Sequence, residues 1–281
     1  MGIVYGLAAA LCFGTADFVV TQAARRTGVL PALFAIQVLG LLAVSAVVLL
    51  AGAVPAPPSA AWGVAVAIGA VNFVGTLLLY RAFAVGTLAI VSPIASGFAV
   101  VTGLLAFAGG ERPPGLVLLG AVLLVLGVAA VTGGGRAGGK KSLLGVPEAI
   151  GAALCLGTYF WALDGVTPTR GWLWPVLVTR AVQLAGAAGV LVVLRQLRPG
   201  LAGTGRNTGL FLLGAAVLDT AALLAFNLGL EQAYTTTTTA LTSLYSAVAV
   251  LLAWTLLRER LSPGQWTGVG VILLGVLLVS L

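Results

Sequence analysis

The chain has 281 residues, 60% hydrophobic and 7% charged, against roughly a quarter charged in ordinary soluble domains, which excludes a water-soluble globular fold. Its net charge of +7 and pI near 10.1 do not indicate nucleic-acid binding, because the Lys and Arg residues lie between apolar runs rather than on a basic face with stacking aromatics. The absence of His removes His-based triads and metal clusters, and Cys12 and Cys155 lie singly inside apolar segments, without ligand spacing or a disulfide framework.

A hydrocarbon core about 30 Å thick is crossed by roughly 20 apolar residues. With Gly, Pro and charge clusters as breaks, the sequence predicts helices over 3–22, 30–51, 60–81, 87–108 and 114–132, then 143–164, 171–194, 208–230, 236–257 and 263–281. The first has no basic leader and reads as a retained span. It carries Asp17 in its inner part and ends near Arg25 and Arg26. The second holds Gln37 and the third Asn72, both near mid-span. Pro93 removes a backbone hydrogen bond inside the fourth, which predicts a kink there. Residues 133–142, Gly133 to Ser142, form a Gly- and Lys-rich flexible linker. Beyond it, the sixth helix carries Tyr159 and Trp161, the seventh Arg180 and Gln183, the eighth Asp219 at its centre, and the ninth Tyr245 after the threonines 235–239.

The stretches on either side of the linker echo each other. Ala9-Ala10-Leu11-Cys12-Phe13-Gly14-Thr15 repeats as Ala152-Ala153-Leu154-Cys155-Leu156-Gly157-Thr158, 143 positions later. Glu111-Arg112-Pro113-Pro114-Gly115 reappears as Glu259-Arg260-Leu261-Ser262-Pro263-Gly264. Five helices per half is an odd number, so the second half enters the bilayer inverted. The expected fold is therefore an all-α polytopic membrane protein. It has ten transmembrane helices in two inverted five-helix repeats, residues 1–132 and 143–281, enclosing a site at the midplane.

These residues resemble the EamA-type branch of the drug/metabolite transporter superfamily over essentially the whole length. The resemblance rests on the Gly motif of each half's first helix, Phe13-Gly14 and Leu156-Gly157. It rests equally on Ala84 to Pro93 followed by Glu111-Arg112, and on Arg258-Glu259-Arg260 ahead of a fifth helix with Gly268, Gly270 and Gly275. The resemblance implies export of an amino-acid-like metabolite, without a cofactor. Basic residues cluster at odd-numbered connections, which by the positive-inside rule puts both termini outside; family habit places them in the cytoplasm.

Ionisable groups inside a bilayer cost at least about 2.5–3.5 kcal/mol each and therefore face a cavity or a partner. Asp219 is the candidate proton-coupling group, because without His a proton relay must use carboxylates. A structural ion pair between Asp219 and Arg180 is the competing reading, and a substrate carboxylate is able to displace Asp219 from that arginine. Asp17 is either a coupling site or the anchor of a substrate amine, or else it pairs with Arg25 or Arg26. Asn72, Arg180, Asp17, Trp161, Tyr159 and Tyr245 are the candidate substrate-binding residues, although amides such as Asn72 and Gln37 also glue helices together.

The function expected is a secondary active transporter of the cell membrane, multi-pass. It exports a small neutral or zwitterionic metabolite by alternating access, with protons as the coupling ion. The alternatives are multidrug efflux of hydrophobic cations and a non-transporting receptor or assembly subunit. No catalytic residue, metal or cofactor is expected; the phosphate-loop look-alike Gly134 to Lys140 is followed by Lys141 where Ser or Thr must hold magnesium. The expected partners are the small-molecule substrate and the lipid bilayer, with a homodimer left open.

Overall fold

The fold is seen in a computed structural model that describes residues 2–52, 60–110, 144–165, 173–194, 206–232 and 244–279, with scattered positions over 115–130 and at 238, 241 and 242. Among them every regular element is helical: α1 (Gly2–Thr27), α2 (Val29–Leu50), α3 (Ala60–Val85), α4 (Leu88–Ser96), α5 (Phe98–Ala108), α6 (Val146–Asp164), α7 (Leu173–Val193), α8 (Arg206–Gln232), α9 (Tyr245–Thr255) and α10 (Pro263–Val279). Seven segments are long and apolar enough to cross a membrane, α4 and α5 counting together as Leu88–Ala108, while α9 and α10 are shorter apolar helices. Most of the expected fifth span, the linker, Glu111 and Arg112 lie outside the described residues.

The helix positions follow the apolar runs, with informative differences at the ends. α1 runs five residues beyond its expected end and carries Arg25 and Arg26 in its last turn, where cations complement the negative end of the helix dipole. α3 continues past Arg81 to Val85, and Arg81 at its rim pairs with Glu148 of α6 at 3.2 Å. The proline-containing span is interrupted, and the break falls at Gly97 rather than at Pro93. There the Gly97 N–H donates to Ile94 O at 3.1 Å instead of reaching Pro93. The Ser96 hydroxyl donates to the Pro93 carbonyl at 2.7 Å, replacing the bond from Gly97 at a depth where no water is available to do so.

Helix contacts come in matched sets. α1 packs most heavily on α8 and α6 on α3, while α1 also meets α9 as α6 meets α5. The matching reaches single atoms. A Cβ placed on Gly14 would stand 2.4 Å from Tyr245 O and 2.5 Å from Val248 Cβ, and one placed on Gly157 would stand 2.8 Å from Phe98 O and 2.5 Å from Val101 Cβ. Phe98 and Val101 precede Tyr245 and Val248 by the same 147 positions. The two glycines of the repeated Gly motif are thus the points where each first helix comes close against the backbone of the opposite fourth segment.

α4, all nine residues of which are buried, crosses the middle of this assembly. Its N-terminal N–H groups receive no bond from the Thr87 side chain. Glu259, from the connection between α9 and α10, accepts from Leu88 N at 3.2 Å and Ala89 N at 3.0 Å, a carboxylate at the positive end of a helix. Arg25 holds that carboxylate at 3.3 Å and donates to Gly86 O and Phe83 O. Glu259 therefore does more than orient its own loop. The clamp joins the end of α1, the turn from α3 to α4 and a residue 234 positions distant.

Close approach makes Gly14 intolerant of a side chain. Gly14→Ala is expected to destabilise the protein by about 1–3 kcal/mol, the usual range for overpacking a tight contact. Gly63→Ala on α3, where a Cβ meets nothing within 4 Å, should leave stability unchanged or raise it. Thermal unfolding of the detergent-purified variants distinguishes them.

Candidate functional site

Helical spacing gathers polar groups along the inner faces. On α1, Phe13, Asp17 and Val20 recur at three- to four-residue intervals; on α3, Asn72, Thr76 and Tyr80 recur at four, so each set lies on one helix face. α6 adds Leu156, Tyr159 and Phe160, α8 adds Asp219 and Leu223, and single residues arrive from α2 (Gln37), α5 (Phe98), α7 (Gln183) and α9 (Tyr245). Together they line a cavity of about 80 Å³ between the two sets of helices.

Behind the cavity wall lies Arg180, 1% exposed. Its Nη2 pairs with Asp219 Oδ2 at 2.6 Å and donates to Thr220 Oγ1 at 3.2 Å, while Nη1 donates to Gln37 Oε1 at 2.8 Å. Room for the guanidinium comes from Gly40, where a Cβ would stand 3.1 Å from Arg180 Cζ. Asp219 is the less buried partner, 20% exposed at its side chain, and it reaches the cavity. The two form a charge-assisted contact, tying α7 to α8.

Position relates these groups further. Gln37 and Arg180 are 143 residues apart, the interval of the repeated Gly motif, and they touch each other. Asn72 and Asp219 are 147 apart, the interval linking Phe98 to Tyr245. Residues 1–132 thus supply two amides where residues 143–281 supply the acid and the base.

A second network is neutral. Gln183 Nε2 donates to Thr76 Oγ1 at 2.9 Å, and the Thr76 hydroxyl donates to Asn72 Oδ1 at 3.3 Å. The Tyr159 hydroxyl shares a 3.2 Å bond with Thr179. This network leaves Gln183 Oε1 without a donor, and the first leaves Gln37 Nε2 without an acceptor, both buried. Asp17 accepts from Ser92 of α4 at 3.0 Å and makes no ion pair among the described residues.

Of the residues singled out from sequence, Asp17, Asn72, Tyr159, Asp219 and Tyr245 line the cavity and Arg180 stands directly behind it. Trp161 is placed elsewhere: it is 40% exposed, on the outer side of α6, because one step beyond Phe160 turns the side chain about 100° around the helix. The pairing of Asp17 with Arg25 or Arg26 is not formed; Arg25 is engaged by Glu259, and Arg26 stacks over the Phe211 ring at 4.6 Å. Sequence reading passed over Thr76 and the rings of Phe13, Phe98 and Phe160. The signal for Thr76 and Phe13 is their four-residue spacing from Asn72 and Asp17, and for Phe160 its adjacency to Tyr159; Phe98 carries no such signal.

Compared with known protein families, the chain matches the EamA-like transporter family over residues 1–133 and 143–281. No curated protein matches it. A solved crystal structure 19% identical to it has the same fold, with a TM-score of 0.69 over 99% of this chain and 95% of that chain.

Removing one partner of the buried pair leaves the other charge uncompensated. Asp219→Leu is therefore expected to destabilise the protein by roughly 3–5 kcal/mol, whereas the double variant Arg180→Leu/Asp219→Leu should regain most of that loss. Thermal unfolding of the two variants beside the wild type tests this; equal losses for both would refute an ion pair that matters to folding.

Proposed function

The chain belongs to the EamA-like transporter family, within the drug/metabolite transporter superfamily and without enzymatic activity, and on that premise we propose a secondary active transporter of the cell membrane that exports a small neutral or zwitterionic, amino-acid-like metabolite. Ten spans form two inverted five-helix repeats, residues 1–132 and 143–281, joined by the linker 133–142, and these rock about the cavity between them. The observation that carries this reading is the cavity itself. It lies at the contacts of α1 with α8 and of α3 with α6, where a relative tilt of the halves opens it toward one side or the other.

Coupling is assigned to Asp219. While ionised it holds Arg180 at 2.6 Å; protonation removes the charge that keeps the guanidinium turned toward α8. The freed Arg180 then receives a substrate carboxylate, so protonation of Asp219 and substrate binding are linked through one charge balance. Multidrug efflux of hydrophobic cations is the second reading, supported by the aromatic wall and by Asp17, which has no cation partner among the described residues.

In liposomes holding a pH-sensitive dye, amino acids are expected to drive proton flux through wild-type protein and not through Asp219→Asn of matching elution profile. Persistent flux through the variant would reduce Asp219 to a structural role. Solute movement without any proton flux would remove proton coupling from the reading.

A further inference from the structure

We propose that the cavity is an ammonium site: Asp17 binds the cationic nitrogen of an amine whose flat apolar body lies among the rings of Phe13, Phe98, Phe160 and Tyr245. The inference deepens the transport reading by naming a substrate class, and it rests on that reading for the cavity's use.

The carboxylates with described side chains divide by partner. Asp219 is held by Arg180, Glu148 by Arg81, and Glu259 by Arg25 together with two backbone N–H groups. Asp17 alone among them faces the cavity with no cation, and its single donor is the Ser92 hydroxyl on Oδ2. A carboxylate in a low-dielectric wall, supported by one neutral hydroxyl, attracts a positive charge far more strongly than it would in water.

Two further features fit an ammonium rather than an anion. Gln183 Oε1 is a buried acceptor with no donor while its Nε2 donates to Thr76; an ammonium brings three N–H donors. Four rings border the same space: Phe98 and Tyr245 stack at 6.2 Å between centroids, Phe13 meets Tyr245 edge-on at 6.3 Å, and Phe98 lies 4.8 Å from Phe160. Aromatic faces attract cations and accept flat apolar groups. The buried donors without a partner beside the cavity are Gln37 Nε2 and Arg180 Nε, and the charge of Arg180 is already balanced by Asp219, so a bound anion would have to displace that carboxylate.

The test is binding to purified protein in detergent micelles, measured by calorimetry with three probes of one shape: phenethylamine, 2-phenylethanol and 3-phenylpropionate. Phenethylamine is expected to bind at least about ten-fold more tightly than the other two. Asp17→Asn should abolish that preference and Asp17→Glu should keep it, with elution and melting of each variant compared with wild type. Equal binding of amine and alcohol to wild-type protein, or an amine preference surviving in folded Asp17→Asn, would overturn the proposal. If Asp17→Asn does not fold, the comparison on wild type and Asp17→Glu decides. Binding needs no transport, so an Asp17-dependent amine preference without flux in liposomes would sink the transporter reading and leave the ammonium site standing. Flux of solutes without that preference would do the reverse.

Discussion

A guanidinium with 1% of its surface exposed, halfway along an apolar helix, sets terms that the surrounding structure has to meet. Desolvating such an ion costs several kcal/mol, and a neighbour of opposite charge offsets that only with good geometry and further hydrogen bonds. Arg180 obtains both, from the Asp219 carboxylate, the Thr220 hydroxyl and the Gln37 carbonyl. Each partner sits on a different helix from Arg180, so the charge also dictates helix arrangement. α2 must come close, which Gly40 permits, and α8 must present two consecutive residues, Asp219 and Thr220. The cavity forms beside this knot because Asp219 has one side on Arg180 and the other open.

The interrupted fourth span obeys the same rule of depth. Backbone groups freed by a proline or a helix end have no water to turn to within a bilayer. At the Gly97 break the Pro93 carbonyl is met by the Ser96 hydroxyl and the Ile94 carbonyl by a tightened turn, and at the N-terminus of α4 the Leu88 and Ala89 N–H groups are met by Glu259. Between these ends Ser92 reaches Asp17. A short, wholly buried helix is thereby held at its start by a distant carboxylate and in its middle by the cavity's own acid. Its position reports on both.

Much of this was legible in the sequence, and the reason is the solvent. Apolar runs of about 20 residues mark spans whatever their packing, so the helices of the described residues fall where the runs predict. Ionisable residues are so scarce that Arg180 and Asp219 pointed to each other. What escaped was long-range and rotational. Nothing local to Glu259 shows that it caps a helix starting 171 positions earlier, and nothing near Asp17 shows that its partner is a serine on α4 rather than an adjacent arginine. Trp161 and Phe160 are neighbours in sequence and opposites in space, because in an apolar helix the lipid-facing and inward-facing stripes are equally hydrophobic. Periodicity that orients a helix in water is nearly silent here.

Gln37 and Arg180 stand at the same step of the repeated pattern and meet each other. A residue at such a contact confronts its own counterpart, so identical chains paired head to tail would place the same side chain on both sides of it. Two arginines there would set two like charges together out of water. Two glutamines would leave Asp219 without its cation. Gln37 opposite Arg180 places a single cation at the contact, matched by the single carboxylate of Asp219. Two matching stretches carried in one chain are free to differ at such a point, and the charged centre depends on that difference.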